Sequence, residues 1–254
     1  MTIKVGIDAS ALHRPQSGIG VYLAVLLEEL IKGLPHCQFI LYVFSEEGIV
    51  DTFSSYPHVH LCIASPLSFH HGLWCQTLLS FLAWRDRLDF FWGPAQSIPL
   101  MKRTGMRTLM SVHDFAYLIC PKTVSTFKCL YLKTFSKVLL KKADYLFPNS
   151  LATAERLRTF YDLPSHAVIH PPLKPTVRPQ GKERLTLFLK QKTLTFNDYA
   201  VTVGTLEPRK NLATLLKLYS EILQQRGKEP VTPLVIIASP GWKDKALTKA
   251  LASM

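Results

Sequence analysis

A chain of 254 residues with 48% hydrophobic and 19% charged residues has the composition of a globular protein with a sizeable core, and it carries no repeat or low-complexity tract. Its net charge of +12 implies anionic partners, without choosing among phosphorylated ligands, nucleic acid and an acidic membrane surface. Five scattered cysteines without a Cys-x-x-Cys argue against a disulfide framework or a zinc site, and no apolar run approaches the roughly 18 residues of a membrane span. With no leader visible, a cytoplasmic chain is expected.

Ile3 to Ala9 reads as a strand, and Ser17-Gly18-Ile19-Gly20 opens a helical pattern behind it, with Ile19, Tyr22, Leu23, Leu26, Leu30 and Ile31 on one face. Two glycines at a helix start admit a ligand close to the backbone, which makes Gly18 and Gly20 candidates for holding an anion. The pair also fits a plain loop, and the full Gly-x-Gly-x-x-Gly fingerprint is absent. Residues 38–44 form an almost unbroken apolar run that fits a strand buried on both faces, and 59–63 a shorter strand. A helix over 72–87 and strands at 89–92 and 107–112 follow.

His113 and Asp114 stand at the C-terminal end of that last strand, where open α/β sheets place ligands. A histidine closing a strand and an aspartate capping a turn are the structural alternatives. The His70-His71 pair carries no decipherable signal, with no third ligand at zinc-like spacing. A basic helix is expected over 124–142, with Phe127, Leu130, Tyr131, Phe135, Val138 and Leu139 on one side and Lys133, Lys137 and Lys141 on another. Its apolar side fits either the core or an anionic lipid surface.

A strand at 145–147, a helix over 150–160 and a strand at Val168 and Ile169 continue an alternation that argues for a doubly wound parallel sheet. Residues 171–198, with Pro171, Pro172, Pro175 and Pro179, break it and leave room for a short helix at 185–189. The expected division is a domain over 1–175, a linker over 176–198 and part of a second domain over 199–254. That last part holds a strand at 199–203, a helix at 211–225, a strand at 234–238 and a helix from near Lys243. Two strands leave apolar surface uncovered, so this part either docks on the first domain or belongs to a larger one.

Gly204-Thr205-Leu206-Glu207-Pro208-Arg209-Lys210-Asn211 joins that strand to that helix. The glycine frees the backbone to turn, and two cations follow as the helix begins, beside amides and a dipole that favour an anion. Such a corner suits a phosphate or diphosphate, although solvated Arg-Lys pairs at helix starts are common.

Asp8-Ala9-Ser10 with Ser17-Gly18-Ile19-Gly20-Val21-Tyr22, then Val112-His113-Asp114, then Ala143-Asp144-Tyr145-Leu146-Phe147-Pro148-Asn149-Ser150, then the Gly204 corner occur in the order found in family 4 glycosyltransferases. Over nearly its whole length the chain resembles a mannosyltransferase-like member of that family. The resemblance implies the GT-B architecture, in which two Rossmann-like domains enclose a nucleotide-sugar donor: here a complete N-terminal, acceptor-side domain and the first part of a donor-binding domain. It implies transfer of a hexosyl group from a nucleotide diphosphate sugar to a saccharide or glycolipid acceptor of cell-envelope polysaccharide, with retained configuration and neither metal nor resident cofactor. Gly18 and Gly20 then approach the donor diphosphate, Arg209 and Lys210 neutralise it as it leaves, and His113 serves catalysis at the donor sugar. Gly204, Thr205, Glu207 and Asp114 are further donor-site candidates. Many relatives carry arginine directly after the glycine; Thr205 stands there in this chain, so that Arg209 supplies the cation from another position.

The family's Glu–seven residues–Glu segment, which holds the donor sugar and ribose, is not found, so a short or truncated second domain with doubtful activity of its own is expected. Lipid-linked acceptors among relatives add a peripheral place on the inner face of a membrane through the 124–142 helix. Two alternatives stay open. One is a non-catalytic binding module or remnant of the same fold; the other is a basic nucleic-acid-binding protein, for which no recognisable module is present.

Overall fold

The computed structural model describes residues 2–13, 17–45, 50–64, 71–174, 176–227 and 229–239; the expected helix near Lys243 lies outside the described residues. The chain divides into two compact units, Met1–Ile119 with Phe127–Val177, and Cys120–Thr126 with Arg178–Met254.

In the first unit the chain forms β1 (Lys4–Asp8), α1 (Gly18–Gly33), β2 (Gln38–Val43), β3 (Val59–Ile63), α2 (71–85), β4 (Phe90–Gly93), β5 (Arg107–Val112), α3 (Thr126–Lys142), β6 (Tyr145–Pro148) and α4 (Leu151–Tyr161). The six strands make one parallel sheet in the order β3-β2-β1-β4-β5-β6. This is the doubly wound order, and it reverses between β1 and β4. Right-handed crossovers on either side of such a reversal put α1 on one face of the sheet and α3 on the other.

Apolar runs build the centre because strands covered on both faces have no polar side to show. Leu23, Leu27 and Ile31 of α1 pack with Ile7, Phe39, Leu41 and Val43 in one cluster of buried side chains. Each full burial of this kind contributes about 1.5–3 kcal/mol. Ser17 caps α1, its Oγ accepting from the Gly20 amide at 3.0 Å, and Ser150 caps α4 through the Thr153 amide at 3.2 Å. α2 contains a π-helical turn over Cys75–Leu79.

Three expectations change. Val168 and Ile169 form no strand: the amides of His166 and Ile169 reach the Leu146 and Pro148 carbonyls, and no ladder grows from them. α3 turns a different side inward, with Cys129, Ser136, Leu139 and Leu140 buried, whereas Leu130, Phe135 and Val138 are exposed beside Lys133, Lys137 and Lys141. The Phe127 side chain lies outside the described residues. The proline-rich stretch also holds a longer helix than expected, α5 (Lys182–Gln191), in the second unit.

The second unit continues with β7 (Ala200–Thr205), α6 (Leu212–Arg226) and β8 (Leu234–Ser239). β7 and β8 pair in parallel from Ala200 with Leu234 to Thr205 with Ser239. A parallel pair needs a crossover, and α6 supplies it, burying Leu212 and Leu216. Among the described residues no helix is long and apolar enough to cross a membrane.

Candidate functional site

In the first unit the groups of interest gather at the C-terminal edge of the sheet, beside its reversal point. His113 follows β5 directly and is held from several sides. Its Nε2 donates to the Pro94 carbonyl at 2.5 Å and its amide donates to Gln96 Oε1 at 3.3 Å. The Tyr22 ring meets it edge-on, with centroids 5.1 Å apart, and Thr153 Oγ1 donates to its carbonyl. Tyr22 is fixed in turn, its hydroxyl pairing with Ser111 Oγ at 3.1 Å while Trp92 Nε1 donates to the same oxygen.

Burial lowers the His113 pKa below its ordinary value, against the opposing pull of the Pro94 carbonyl and Asp114. The ring is therefore neutral near pH 7, with its proton on Nε2 by the logic of the Pro94 bond and Nδ1 as an acceptor. It can take a hydrogen bond from a hydroxyl; it is not a cation for a phosphate.

The turn after β4 exists because Gly93 permits it. A Cβ at Gly93 would lie 1.8 Å from the Ser97 carbonyl oxygen. That close return brings Pro94 and Gln96 under His113, with Gln96 in the left-handed region at φ 59°. Asp114 is exposed, and its Oδ1 accepts from the Ala116 amide at 3.0 Å at the start of the helical turn Ala116–Ile119.

Gly18 and Gly20 open α1. Among the described residues, a Cβ at Gly18 would meet nothing within 4 Å. Gly20 is buried, and its amide already serves Ser17 Oγ. Of the first-turn amides, Gly18 and Ile19 remain without an intrahelical partner.

His71 carries no signal in the sequence pattern, and the structure places it at the start of α2 against β1. Its Nε2 meets Asp8 Oδ2 at 2.7 Å, and Ser10 holds Asp8 Oδ1 through its amide at 3.1 Å and its hydroxyl at 2.6 Å. Asp8 is fully buried. Burial opposes a charge on the His71 ring, but the Asp8 carboxylate outweighs it and raises the pKa above the ordinary value. The one legible hint was a carboxylate ending an apolar strand, which requires a partner when buried.

In the second unit Gly204 and Thr205 end β7, and Pro208–Lys210 forms a 3-10 turn before α6. The two cations thus stand on that turn and not on the helix; Asn211, at φ 53°, separates them from it. Arg209 Nη2 pairs with Glu207 Oε1 at 2.8 Å. Lys210 lays its aliphatic stem against Gly204, with Cε 3.5 Å from the position of a Cβ there. Both cations are exposed. The corner therefore brings Gly204, Thr205, Glu207, Arg209 and Lys210 together in one short segment and can offer mobile positive charge to an anion.

No family model matches the chain. It is 24% identical over 170 residues, 65% of its length, to the O-antigen chain mannosyltransferase B of Escherichia coli, of which it spans 43%. Its fold matches a structure from Listeria monocytogenes assigned as a UDP-N-acetylglucosamine 2-epimerase, with TM-score 0.57 and 13% identity over 99% of this chain and 66% of that one. The apo lipopolysaccharide outer core galactosyltransferase WaaB gives TM-score 0.49 and 11% identity over 100% of this chain and 65% of that one. The chain is similar in sequence to a mannosyltransferase and has the α/β fold of part of a GT-B architecture, so it resembles a family 4-like glycosyltransferase.

Proposed function

We propose that the chain acts in transfer of a hexosyl group from a nucleotide diphosphate sugar to a saccharide or glycolipid acceptor, with retained configuration and without metal or resident cofactor. The observation that carries this reading is the likeness to the mannosyltransferase, which also suggests mannose as the hexose. The leaving nucleoside diphosphate gains charge in the transition state, and groups already aimed at that charge lower the barrier. Lys210 and Arg209 are proposed to meet the diphosphate, with Glu207 orienting Arg209, while Gly204 and Thr205 shape the turn. Gly18 and Gly20 are proposed to approach a donor diphosphate through the first-turn amides of α1. His113 receives a hydrogen bond from the donor sugar, and Asp114 fixes the backbone that follows it. The proposal carries with it the division into an acceptor-side domain over 1–175, a linker over 176–198 and a partial donor-binding domain over 199–254.

A lipid-linked acceptor and a peripheral place on the cytoplasmic face of an anionic membrane extend the proposal. Exposed Leu130 and Val138 beside Lys133, Lys137 and Lys141 on α3 support it, as do exposed Leu73, Phe81 and Trp84 on α2. Sedimentation with vesicles tests this extension: binding to anionic vesicles and not to neutral ones is expected, and equal binding to both removes it.

Calorimetry of the chain with GDP and UDP, followed by product analysis with the matching sugar nucleotides and mannosyl acceptors, tests the main reading. Dissociation constants below about 1 mM for one nucleotide are expected, and no heat with either nucleotide overturns it.

A further inference from the structure

The first unit holds a polar cluster that the donor reading does not use. Asp8 ends β1 fully buried, with Ser10 on one carboxylate oxygen and His71 Nε2 on the other. Nε2 is therefore engaged, and Nδ1 has no hydrogen-bond partner among the described residues, while the His71 side chain is 33% exposed. A second polar group, Ser97, lies near Cys75 at the same edge. Ser97, on the turn after β4, is only 5% exposed, and among the described residues its Oγ is a buried side-chain oxygen without an adequate partner. The neighbouring Cys75 thiol is too weak a partner to satisfy it. β1 and β4 flank the reversal of strand order, where sheets of this kind receive ligands.

We propose that Asp8 and His71 form a hydroxyl-binding subsite whose ligand is the saccharide acceptor, an assignment that rests on the transferase reading above. The chemistry selects a hydroxyl. With the ring charged, Nδ1–H donates to the hydroxyl oxygen; with the ring neutral and its proton kept on Nε2 by Asp8, Nδ1 accepts from the hydroxyl. A sugar hydroxyl serves both states, whereas a phosphate suits only the charged ring and an ammonium only the neutral one. The other groups around the ring do not change this. Cys75 is held as a neutral thiol by burial, Tyr131 of α3 presents a neutral phenol against Gly72, and the Trp74 ring lies 5.7 Å away. Charged His71 and Asp8 cancel one another, so the pair exerts little net pull on an anion.

The test uses the whole chain carrying nitrogen-15-labelled histidine, titrated with mannotriose at about pH 5.5 and about pH 8.5, on either side of the ordinary histidine pKa. Mannotriose is expected to shift the His71 Nδ1 resonance at both values, with affinities agreeing within about threefold. His71→Phe is expected to weaken binding at least about tenfold and His71→Gln to recover much of that loss, with His113 resonances in their parental places as the sign of an intact fold. Where the Phe variant does not fold, the parent's own shifts decide. The proposal is overturned if roughly 100 mM mannotriose leaves His71 unmoved, or if His71→Phe binds as the parent does. It is equally overturned if inorganic phosphate shifts the ring at the lower pH and mannotriose does not. Calorimetry with GDP and UDP on the same samples separates the two levels: absent nucleotide binding strikes the transferase reading and leaves the mannotriose result standing.

Discussion

Arg209 reaches Glu207 at 2.8 Å across the same short turn, so one of the two cations at the end of β7 is already engaged before any ligand arrives. Lys210, by contrast, lays its methylene stem against Gly204. A diphosphate at this corner would have to compete with a carboxylate for the guanidinium and, among the described residues, with none for the ammonium.

Lys210→Ala is therefore expected to weaken nucleoside diphosphate binding by about 1.5–3 kcal/mol, and Arg209→Ala by less. In a Glu207→Gln background the cost of Arg209→Ala should rise toward that of Lys210→Ala, a coupling that a double-mutant cycle by calorimetry reads directly. Unchanged affinity in Lys210→Ala removes the corner from the donor site.

Gly93→Ala is expected to disturb His113 although the two side chains need not touch. The added methyl would lie 1.8 Å from the Ser97 carbonyl, so the turn that carries Pro94 and Gln96 must move. Overpacking of this kind costs about 1–3 kcal/mol. The His113 ring should also lose its fixed Nε2–H tautomer, visible in long-range proton–nitrogen spectra. A Gly93→Ala chain with parental stability and parental His113 resonances contradicts the account.

Stability should depend on His71 in a definite pH window. Its pKa is raised in the folded chain, so the folded state binds the proton more tightly than the unfolded one. The contribution is full below the ordinary value of 6.5 and is lost as pH rises through the folded value. The stability gap between parent and His71→Gln in urea unfolding should thus be larger at about pH 5.5 than at about pH 8.5. A gap that grows with pH refutes the pairing with Asp8.

Asp144 acts with the opposite sign. Burial pushes its carboxyl up, but Lys102 Nζ together with the amide and hydroxyl of Thr108 outweighs this and holds it well below the usual carboxylate range. Its stabilisation is present above the ordinary value of 3.8 and disappears as pH falls through the folded value. Asp144→Asn should therefore cost most near neutrality, with the difference from the parent closing in acid. Thermal unfolding at a series of pH values reads this.

The strands were legible because their signal is local. An apolar run such as 38–44, or one ending in His113-Asp114, announces a strand buried on both faces wherever it occurs. Val168 and Ile169 offered the same residue types in too short a stretch to sustain a ladder. On α3, Leu, Tyr, Phe, Val and Cys spread over neighbouring stripes, and periodicity alone could not choose the side that Cys129, Leu139 and Leu140 bury. His71 was illegible for a different reason: its partner stands 63 positions away, and no spacing rule connects a helix start to the end of the first strand.

The wide turn at Cys75–Leu79 has a consequence for any rearrangement of the gene. Such a turn accommodates one residue more than a regular helical turn, and Ser80 Oγ donates to the Cys75 carbonyl within it. Leu79, Leu82 and Ala83 are buried beyond it, fixing the C-terminal half of the helix. Removing a single residue there would restore the regular pitch and leave the preceding turn close to its present direction, whereas removing one from a regular turn would swing it by about 100°. His71 would then keep Asp8 within reach, so a one-codon deletion in the wide turn spares the pair that the same deletion among the regular turns of Ser80–Arg85 would unmake.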